Sequence, residues 1–248
     1  MQTGVKYPKK IVFSMNDTLQ ITTDIVLVDI AGFSLLSDAK QLDVAEIINS
    51  YLTNQVHFLA ELNNLRKDEV ISGFVPTGDG IYIVLNPQVC GYGVFLALSV
   101  RNYLLWVSTV EFDGLYSGVR AAANMGTILT FTDANNCRNY IGSGMNNCQR
   151  LLSVPKEDAI SFCGDTNYVV ASETAMYWFH KLYSSSDCAR FLLTSKFKES
   201  AQLRITDKHN QEHHAYLVDI FRLAGFQPPN RIRPRKRRRE EFFRGPPL

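Results

Sequence analysis

Residues 25–34 read IVLVDIAGFS: four consecutive apolar residues, an acid at Asp29, then a short turn that contains a glycine. An uninterrupted apolar run is typical of a strand that is covered on both faces, so we predict a buried central strand over residues 25–30. An acid at the end of such a strand is costly to bury without a partner. Asp29 is therefore the first candidate functional residue.

The segments that follow this strand predict an α+β fold. Apolar residues recur at intervals of three and four over residues 44–65, which predicts an amphipathic helix, and residues 91–110 predict a second helix that is largely buried. Apolar runs at 69–75 and 81–85 flank the sequence TGDG, which predicts a β-hairpin with Asp79 at its tip. Beyond these we predict strands at 115–124, 126–132, 191–197, 201–205 and 214–221, short elements at 159–162 and 169–170, and helices from residue 145 and over 173–181. Helices covering one mostly antiparallel sheet give an α+β sandwich.

Composition favours a soluble cytoplasmic protein. The chain has 248 residues, 46% of them hydrophobic and 20% charged, which are ordinary globular values. Its five cysteines are widely spaced and form no CxxC pair, which argues against a disulfide framework or a zinc site and for a reducing compartment. The N-terminus lacks the apolar segment of a secretory signal, and the apolar stretch at 94–110 is interrupted by Arg101 and too short to span a bilayer.

The charge is unevenly distributed along the chain. Residues 227–248 carry eight Lys or Arg against two Glu, so subtracting this tail's +6 from the chain's +2 leaves −4 for residues 1–226. A segment with dense like charge and several prolines disfavours a packed core, so we predict that residues 227–248 form a disordered basic tail. We predict a folded domain at 22–226, preceded by an N-terminal extension at 1–21. Such a tail binds polyanions weakly, and a nucleic-acid-binding function would depend on it alone.

Asp29 and Asp79 are candidate metal ligands. Their carboxylates converge if the two predicted strands lie side by side, and hard oxygen donors suit Mg²⁺ or Mn²⁺. Two such ions in one site can activate an attacking oxygen and neutralise a pyrophosphate leaving group. Considered singly, each acid is equally compatible with a helix cap or a turn.

Two further groups suit a phosphorylated substrate. The turn of Gly32, Phe33 and Ser34 leads from the strand into a helix, and its N–H groups can cradle phosphates. Asn146 and Arg150 are four residues apart on one face of a predicted helix. An amide there can orient a ribose, and a guanidinium can stabilise charge on a reacting phosphorus, although a solvated helical face explains the pair equally well.

Together these segments resemble the class III adenylyl and guanylyl cyclase catalytic domain over residues 22–222. That family's first metal motif appears as VDIAGFS at 28–34, its second as TGDGIY at 77–82, and its third, which carries the Asn and Arg, as GSGMNNCQR at 142–150. Three motifs in the family's order and with its internal spacing are jointly specific.

The resemblance implies a palm-like, ferredoxin-type sandwich that assembles as a homodimer with active sites at the interface. It further implies that Asp29, Asp79 and the Ile30 carbonyl hold two Mn²⁺ or Mg²⁺ ions per site, whereas Asn146 and Arg150 act from the other protomer. The reaction implied is cyclisation of a nucleoside triphosphate to a 3′,5′-cyclic monophosphate.

Two positions select the purine base in that family, and this chain carries neither the adenylyl cyclase pattern nor the guanylyl cyclase pattern there. They correspond to Val75 and Asn139, and a valine side chain makes no hydrogen bond to a base. Tyr116 and Arg120, four residues apart in a predicted strand, would face one side and could read a pyrimidine. This spacing resembles the bacterial antiphage pyrimidine cyclases of the Pycsar system, whose product acts on a separate effector. The resemblance implies UTP as substrate, with CTP next, then ATP or GTP, and finally a catalytically dead nucleotide-binding domain.

Overall fold

A computed structural model describes residues 19–110, 116, 118–185, 197–207 and 210–220. The predicted N-terminal extension lies outside these residues except for its last three positions. The predicted basic tail also lies outside them, as does the predicted strand at 191–197 apart from Phe197.

Strand β1, Gln20–Ala31, lies at the centre of the sheet. It pairs antiparallel with β3, Gly80–Leu85, on one side and with β4, Gly118–Thr132, on the other. Its apolar run is buried on both faces because alternate side chains enter two separate hydrophobic clusters. The predicted central buried strand is confirmed.

The described strands form one sheet in the order β2-β3-β1-β4-β6-β9-β7, with β5 added on β4 and β8 added on β9. All pairs are antiparallel except β4 with β6. The remaining strands are β2 (Ile71–Pro76), β5 (Arg138–Ile141), β6 (Val169–Ser172), β7 (Phe197–Glu199), β8 (Leu203–Thr206) and β9 (Glu212–Ile220).

Helices cover both faces of this sheet. On one face pack α1 (Asp38–Asn63), α2 (Gly93–Val110) and α5 (Glu173–Ser185), and on the other pack α3 (Ser143–Leu151) and α4 (Lys156–Cys163). The predicted α+β sandwich with a mostly antiparallel sheet is confirmed. Within the described ranges, no helix combines the length and apolar character needed to cross a bilayer.

Arg101, which interrupts the apolar stretch of α2, is buried and paired. Its Nη2 donates to Asp219 Oδ1 of β9, which joins the helix to the sheet. A buried charge is tolerated when an opposite charge meets it in this way.

Two predicted strands are in fact one continuous strand. We expected a break between residues 124 and 126, but β4 continues through Gly126. A Cβ at Gly126 would lie 2.8 Å from the Gly144 Cα and 2.9 Å from the Asn124 amide nitrogen. Gly126 therefore allows α3 to approach the strand closely, and it marks a packing contact rather than a turn.

Candidate active site

The pairing of β1 with β3 brings the two predicted metal acids together. Asp29 lies opposite Gly80, so Asp79, at the hairpin tip, reaches the end of β1, where its carbonyl accepts a hydrogen bond from Ile30 N at 2.9 Å. A Cβ at position 80 would lie 2.0 Å from the Val28 carbonyl oxygen, so glycine is required for this close approach. The predicted hairpin thus places Asp79 beside Asp29.

The turn after β1 has the form expected of a ligand-facing loop. Gly32 has a φ of 79°, in the left-handed region that glycine adopts without strain, and precedes a short 3-10 helix, Phe33–Leu35. The backbone closes through Leu35 N to Gly32 O at 3.0 Å, a bond that uses no N–H group of Phe33 or Ser34. Among the residues that the structure describes, none accepts a hydrogen bond from these two N–H groups, so they can serve a ligand.

A cavity of about 290 Å³ opens between this turn and the hairpin tip. Most of the sequence-predicted residues of the acid half of the site therefore meet there. The cavity is lined by Ile30, Ala31, Gly32, Phe33, Ser34, Asp79, Gly118, Arg120 and Thr166.

Arg120 lines the cavity and pairs with Asp29, which is not itself among the lining residues. The two residues are cross-strand partners on β4 and β1, and Arg120 Nε donates to Asp29 Oδ2 at 2.7 Å while Nη2 donates to the same oxygen. The Asp29 side chain is 9% exposed and the Arg120 side chain 38%. Burial raises the pKa of Asp29, hydrogen bonding and attraction from Arg120 oppose that rise, and the negative charge of Asp79 adds to it.

Tyr168 lies close to Arg120. Its hydroxyl donates to Leu152 O at 2.8 Å, and the positive charge of Arg120 acts on it. Sequence reasoning missed Tyr168 because it reaches β4 only through the parallel β4–β6 pair, in which Ala121 N donates to Tyr168 O. Nothing local in the sequence signals that contact.

The predicted placement of Tyr116 beside Arg120 is wrong. Tyr116 lies in a bend before β4 begins at Gly118, so the alternation of a strand does not set its direction. Its side chain is buried and its hydroxyl donates to Leu104 O of α2. The tyrosine that contacts Arg120 is Tyr168.

Asn146 and Arg150 lie on α3, away from the acids. Asn146 is exposed, and Arg150 points to the turn between β8 and β9, where its Nε lies 3.0 Å from Asp207 Oδ2. Neither residue lines the acid cavity. A single chain therefore presents the predicted residues as two separate groups.

Val75 lies on β2 and Asn139 on β5, two strands that do not pair with each other in the sheet. Val75 of β2 is half-buried against the hydrophobic cluster under α3, and Asn139 of β5 accepts a hydrogen bond from Tyr140 N at 2.8 Å. The Tyr140 hydroxyl donates to Ser72 O, which joins β5 to β2. Neither Val75 nor Asn139 lines the acid cavity.

The acid group fits a hard divalent cation. Two carboxylates and the Ile30 carbonyl offer oxygen donors only, and the described residues contain no cluster of three or more His, Cys, Asp or Glu side chains suited to a metal. Burial and, to a smaller extent, the charge of Asp79 raise the pKa of Asp29, and a cation would stabilise the ionised carboxylate against both. Arg120 supplies that positive charge in this structure, and a metal ion on Asp29 Oδ2 would have to displace it.

The fold is similar to that of solved cyclase domains. The adenylyl cyclase CyaB from P. aeruginosa is 15% identical with a TM-score of 0.50 and covers 83% of this chain and 97% of its own. The catalytic core of a rhodopsin-guanylyl cyclase with converted specificity, in complex with ATPαS, is 14% identical with a TM-score of 0.52 and covers 83% and 100%. The guanylate cyclase domain of RhGC from Catenaria anguillulae, in complex with GTP, is 14% identical with a TM-score of 0.50 and covers 80% and 96%. No protein-family model and no curated protein matches the sequence. The chain therefore has the fold of these catalytic domains.

Replacing Arg120 by methionine should destabilise the metal-free protein more at pH 8 than at pH 5. Because the pKa of Asp29 is raised by folding, unfolding releases a proton, and stability falls as pH rises from about 4 through the folded pKa. Removing Arg120 raises that pKa further and extends the fall to higher pH. We expect a loss of about 1–2 kcal/mol at pH 8, since Arg120 is partly exposed, and a smaller loss at pH 5.

Urea denaturation in buffer containing a chelator measures this difference. Arg120→Lys, which keeps a positive charge, should lose less stability than Arg120→Met at pH 8. Equal losses for Arg120→Met at the two pH values would show that Asp29 is not the group that Arg120 neutralises.

Proposed function

We propose that this protein is a nucleotidyl cyclase, which converts a nucleoside triphosphate to a 3′,5′-cyclic monophosphate and pyrophosphate. The observation that carries the proposal is a cavity lined by Asp79, Arg120 and the Gly32 turn, with Asp29 paired to Arg120. Two acids for cations and the N–H groups of the turn are parts that a triphosphate needs. The likeness of fold to adenylyl and guanylyl cyclase domains supports it.

In this proposal the chain holds the triphosphate and the reacting oxygen in one cavity. Asp29, Asp79 and the Ile30 carbonyl hold two Mn²⁺ or Mg²⁺ ions, which when bound supply Lewis acidity to the ribose 3′-hydroxyl and positive charge to the triphosphate. The N–H groups of the turn at Gly32, Phe33 and Ser34 bind phosphate oxygens. The 3′-oxygen forms its bond to the α-phosphorus as the bond to pyrophosphate breaks, and the 3′-proton leaves to solvent.

A homodimer completes the site in this proposal. Asn146 and Arg150 do not line the acid cavity of their own chain, so a second protomer would supply them, Asn146 to the ribose and Arg150 to the charge on phosphorus. The cross-strand pair Leu129 and Ile141 on β4 and β5 leaves an apolar surface, 37% and 58% exposed, that a second copy could cover.

We propose a pyrimidine as the base, with UTP preferred and CTP second. Val75 is apolar where a purine-specific site carries a polar group. Its strand, β2, contacts the strand of Asn139, β5, through the hydrogen bond from the Tyr140 hydroxyl to Ser72 O. The Tyr116 hydroxyl is already bonded to Leu104, so Val75, Asn139 and Arg120 remain as the base-reading candidates. In this proposal the cyclic UMP acts on a separate effector in antiphage defence. ATP or GTP cyclisation is the alternative that a polar contact from Asn139 would favour.

Incubation with ATP, GTP, CTP and UTP separately tests the function and the base together. Purified protein with Mn²⁺ should convert UTP fastest, and mass spectrometry should detect cyclic UMP and pyrophosphate in equal amounts. Cyclic CMP as the main product would change only the base, and cyclic AMP or GMP would refute the argument from Val75. Absence of any cyclic product, with pyrophosphate also absent, would refute the cyclase proposal.

Mixing two impaired variants tests whether the site is shared between protomers. Asp79→Asn removes a metal ligand and should abolish activity, and Arg150→Ala removes the charge-stabilising group and should leave about a hundredth of the wild-type activity or less. In a fully exchanged equal mixture half of the dimers are heterodimers with one intact site of two, so activity should recover to about a quarter of wild type.

The matched control for Asp79→Asn is Asp68→Asn, an exposed acid before the same hairpin that should retain full activity. Denaturing the two variants and refolding them together ensures that their subunits exchange. If activity still does not recover, Arg150 and Asp79 act in the same protomer's site, or Arg150 is not part of the site.

A further inference from the structure

The side chain of Arg150 is fixed by the turn that joins β8 to β9. Its Nε lies 3.0 Å from Asp207 Oδ2, and its Nη1 donates to Gln211 Oε1 at 2.9 Å and to Asn147 Oδ1 at 3.4 Å. No residue that the structure describes accepts a hydrogen bond from Nη2. The guanidinium is thus fixed through two of its nitrogens and presents the third.

Contacts other than the one with Arg150 also hold the Asp207 side chain in place. Its Oδ1 accepts a hydrogen bond from Gln211 N at 2.9 Å, and its side chain is 2% exposed. The turn closes through Asp207 N to Gln211 O at 3.0 Å and Asn210 N to Asp207 O at 2.9 Å. His213 Nε2 lies 3.2 Å from Oδ2, the oxygen that also meets Arg150.

The Asp207 carboxylate closes its turn through Oδ1 and contacts Arg150 through Oδ2, and a second turn in the same protein shows the first of these contacts without the second. Asp133, in the turn between β4 and β5, accepts from Cys137 N through its Oδ1 at 3.0 Å, and Asp133 N donates to Cys137 O at 2.9 Å. Asn136 and Asn210, each three residues after the aspartate, both have positive φ, 61° and 58°. The two turns therefore share the same closing hydrogen bonds and a positive φ three residues after the aspartate.

The difference between the two turns lies in Oδ2. In Asp207 this oxygen is buried against Arg150 and His213, whereas no described arginine pairs with Asp133. Turn formation explains an aspartate at both positions, but it explains neither the burial of Asp207 nor its contact with Arg150. That contact requires a second role.

We propose that Asp207 is a positioning residue that holds the Arg150 guanidinium ready for the phosphorus it serves. The proposal rests on the proposed cyclase function, since Arg150 is given its role there. A long side chain that is already ordered loses little conformational freedom when the transition state forms, so its charge acts at full strength. Gln211 strengthens the arrangement because the same turn supplies both contacts.

The test uses Asp207→Asn, which keeps an acceptor for the turn and replaces the charged Oδ2, 3.0 Å from Arg150 Nε, by a neutral NH₂ group. The matched control is Asp133→Asn, which makes the same change in the equivalent turn. In wild type and control, the Arg150 Nε–H should give a slowly exchanging signal in ¹H–¹⁵N spectra, assigned by its loss in Arg150→Lys. In Asp207→Asn that signal should exchange rapidly.

Kinetics supply the second readout. Asp207→Asn should lower kcat by about tenfold or more and change KM by less than about twofold, because the charge on phosphorus develops only in the transition state. Added to Arg150→Ala, it should lower kcat no further, since the residue acts through Arg150. A merely structural role would lower kcat equally in both backgrounds.

The two readouts separate the possible failures. An unchanged Arg150 signal in Asp207→Asn, or a loss of kcat that persists in the Arg150→Ala background, would overturn the positioning role. If wild-type protein cyclises no nucleotide, the proposed function fails, and the spectra still decide whether Asp207 fixes Arg150.

Discussion

The arrangement depends on the carboxylate of Asp29, which lies two residues before the end of a strand that is buried on both faces. Its position is set by two antiparallel pairings of β1, with β3 bringing Asp79 to one side and β4 bringing Arg120 to the other. Burial makes the charge of Asp29 costly, and the Arg120 guanidinium compensates it in the structure. A divalent cation would compensate the same buried charge, so in the proposed function the carboxylate that is costly to bury is also the one that binds the cation.

The sheet also separates the two groups of functional candidates. Asp79, the Gly32 turn and Arg120 line one cavity, and Asp29 pairs with Arg120, whereas Arg150 contacts Asp207 in the β8–β9 turn. Strand register holds the first group, and the contacts of the β8–β9 turn hold the second. Because Arg150 does not line the cavity of its own chain, the proposed reaction depends on assembly, which would link activity to protein concentration.

The features that local patterns encode could be predicted from the sequence. The apolar run of β1, the hairpin at Asp79 and the helical spacing of α1 each depend on neighbouring residues, and the β1–β3 pairing then follows from their adjacency. Tyr168 and Asp207 could not be predicted, because they reach Arg120 and Arg150 through a parallel strand pair and through a distant turn. Tyr116 was misplaced because β4 begins two residues after it, so a strand period was applied to a bend.

The most direct test of the central claim is a titration with Mn²⁺ followed by electron paramagnetic resonance, in the presence of a non-cyclisable UTP analogue. If Asp29 and Asp79 form one cation site, wild-type protein should bind Mn²⁺, and Asp29→Asn and Asp79→Asn should each weaken binding by at least about tenfold while Asp68→Asn leaves it unchanged. Arg120→Met should bind Mn²⁺ at least as tightly without nucleotide, because no guanidinium competes for Asp29. Equal Mn²⁺ binding by wild type and both acid variants would contradict the account.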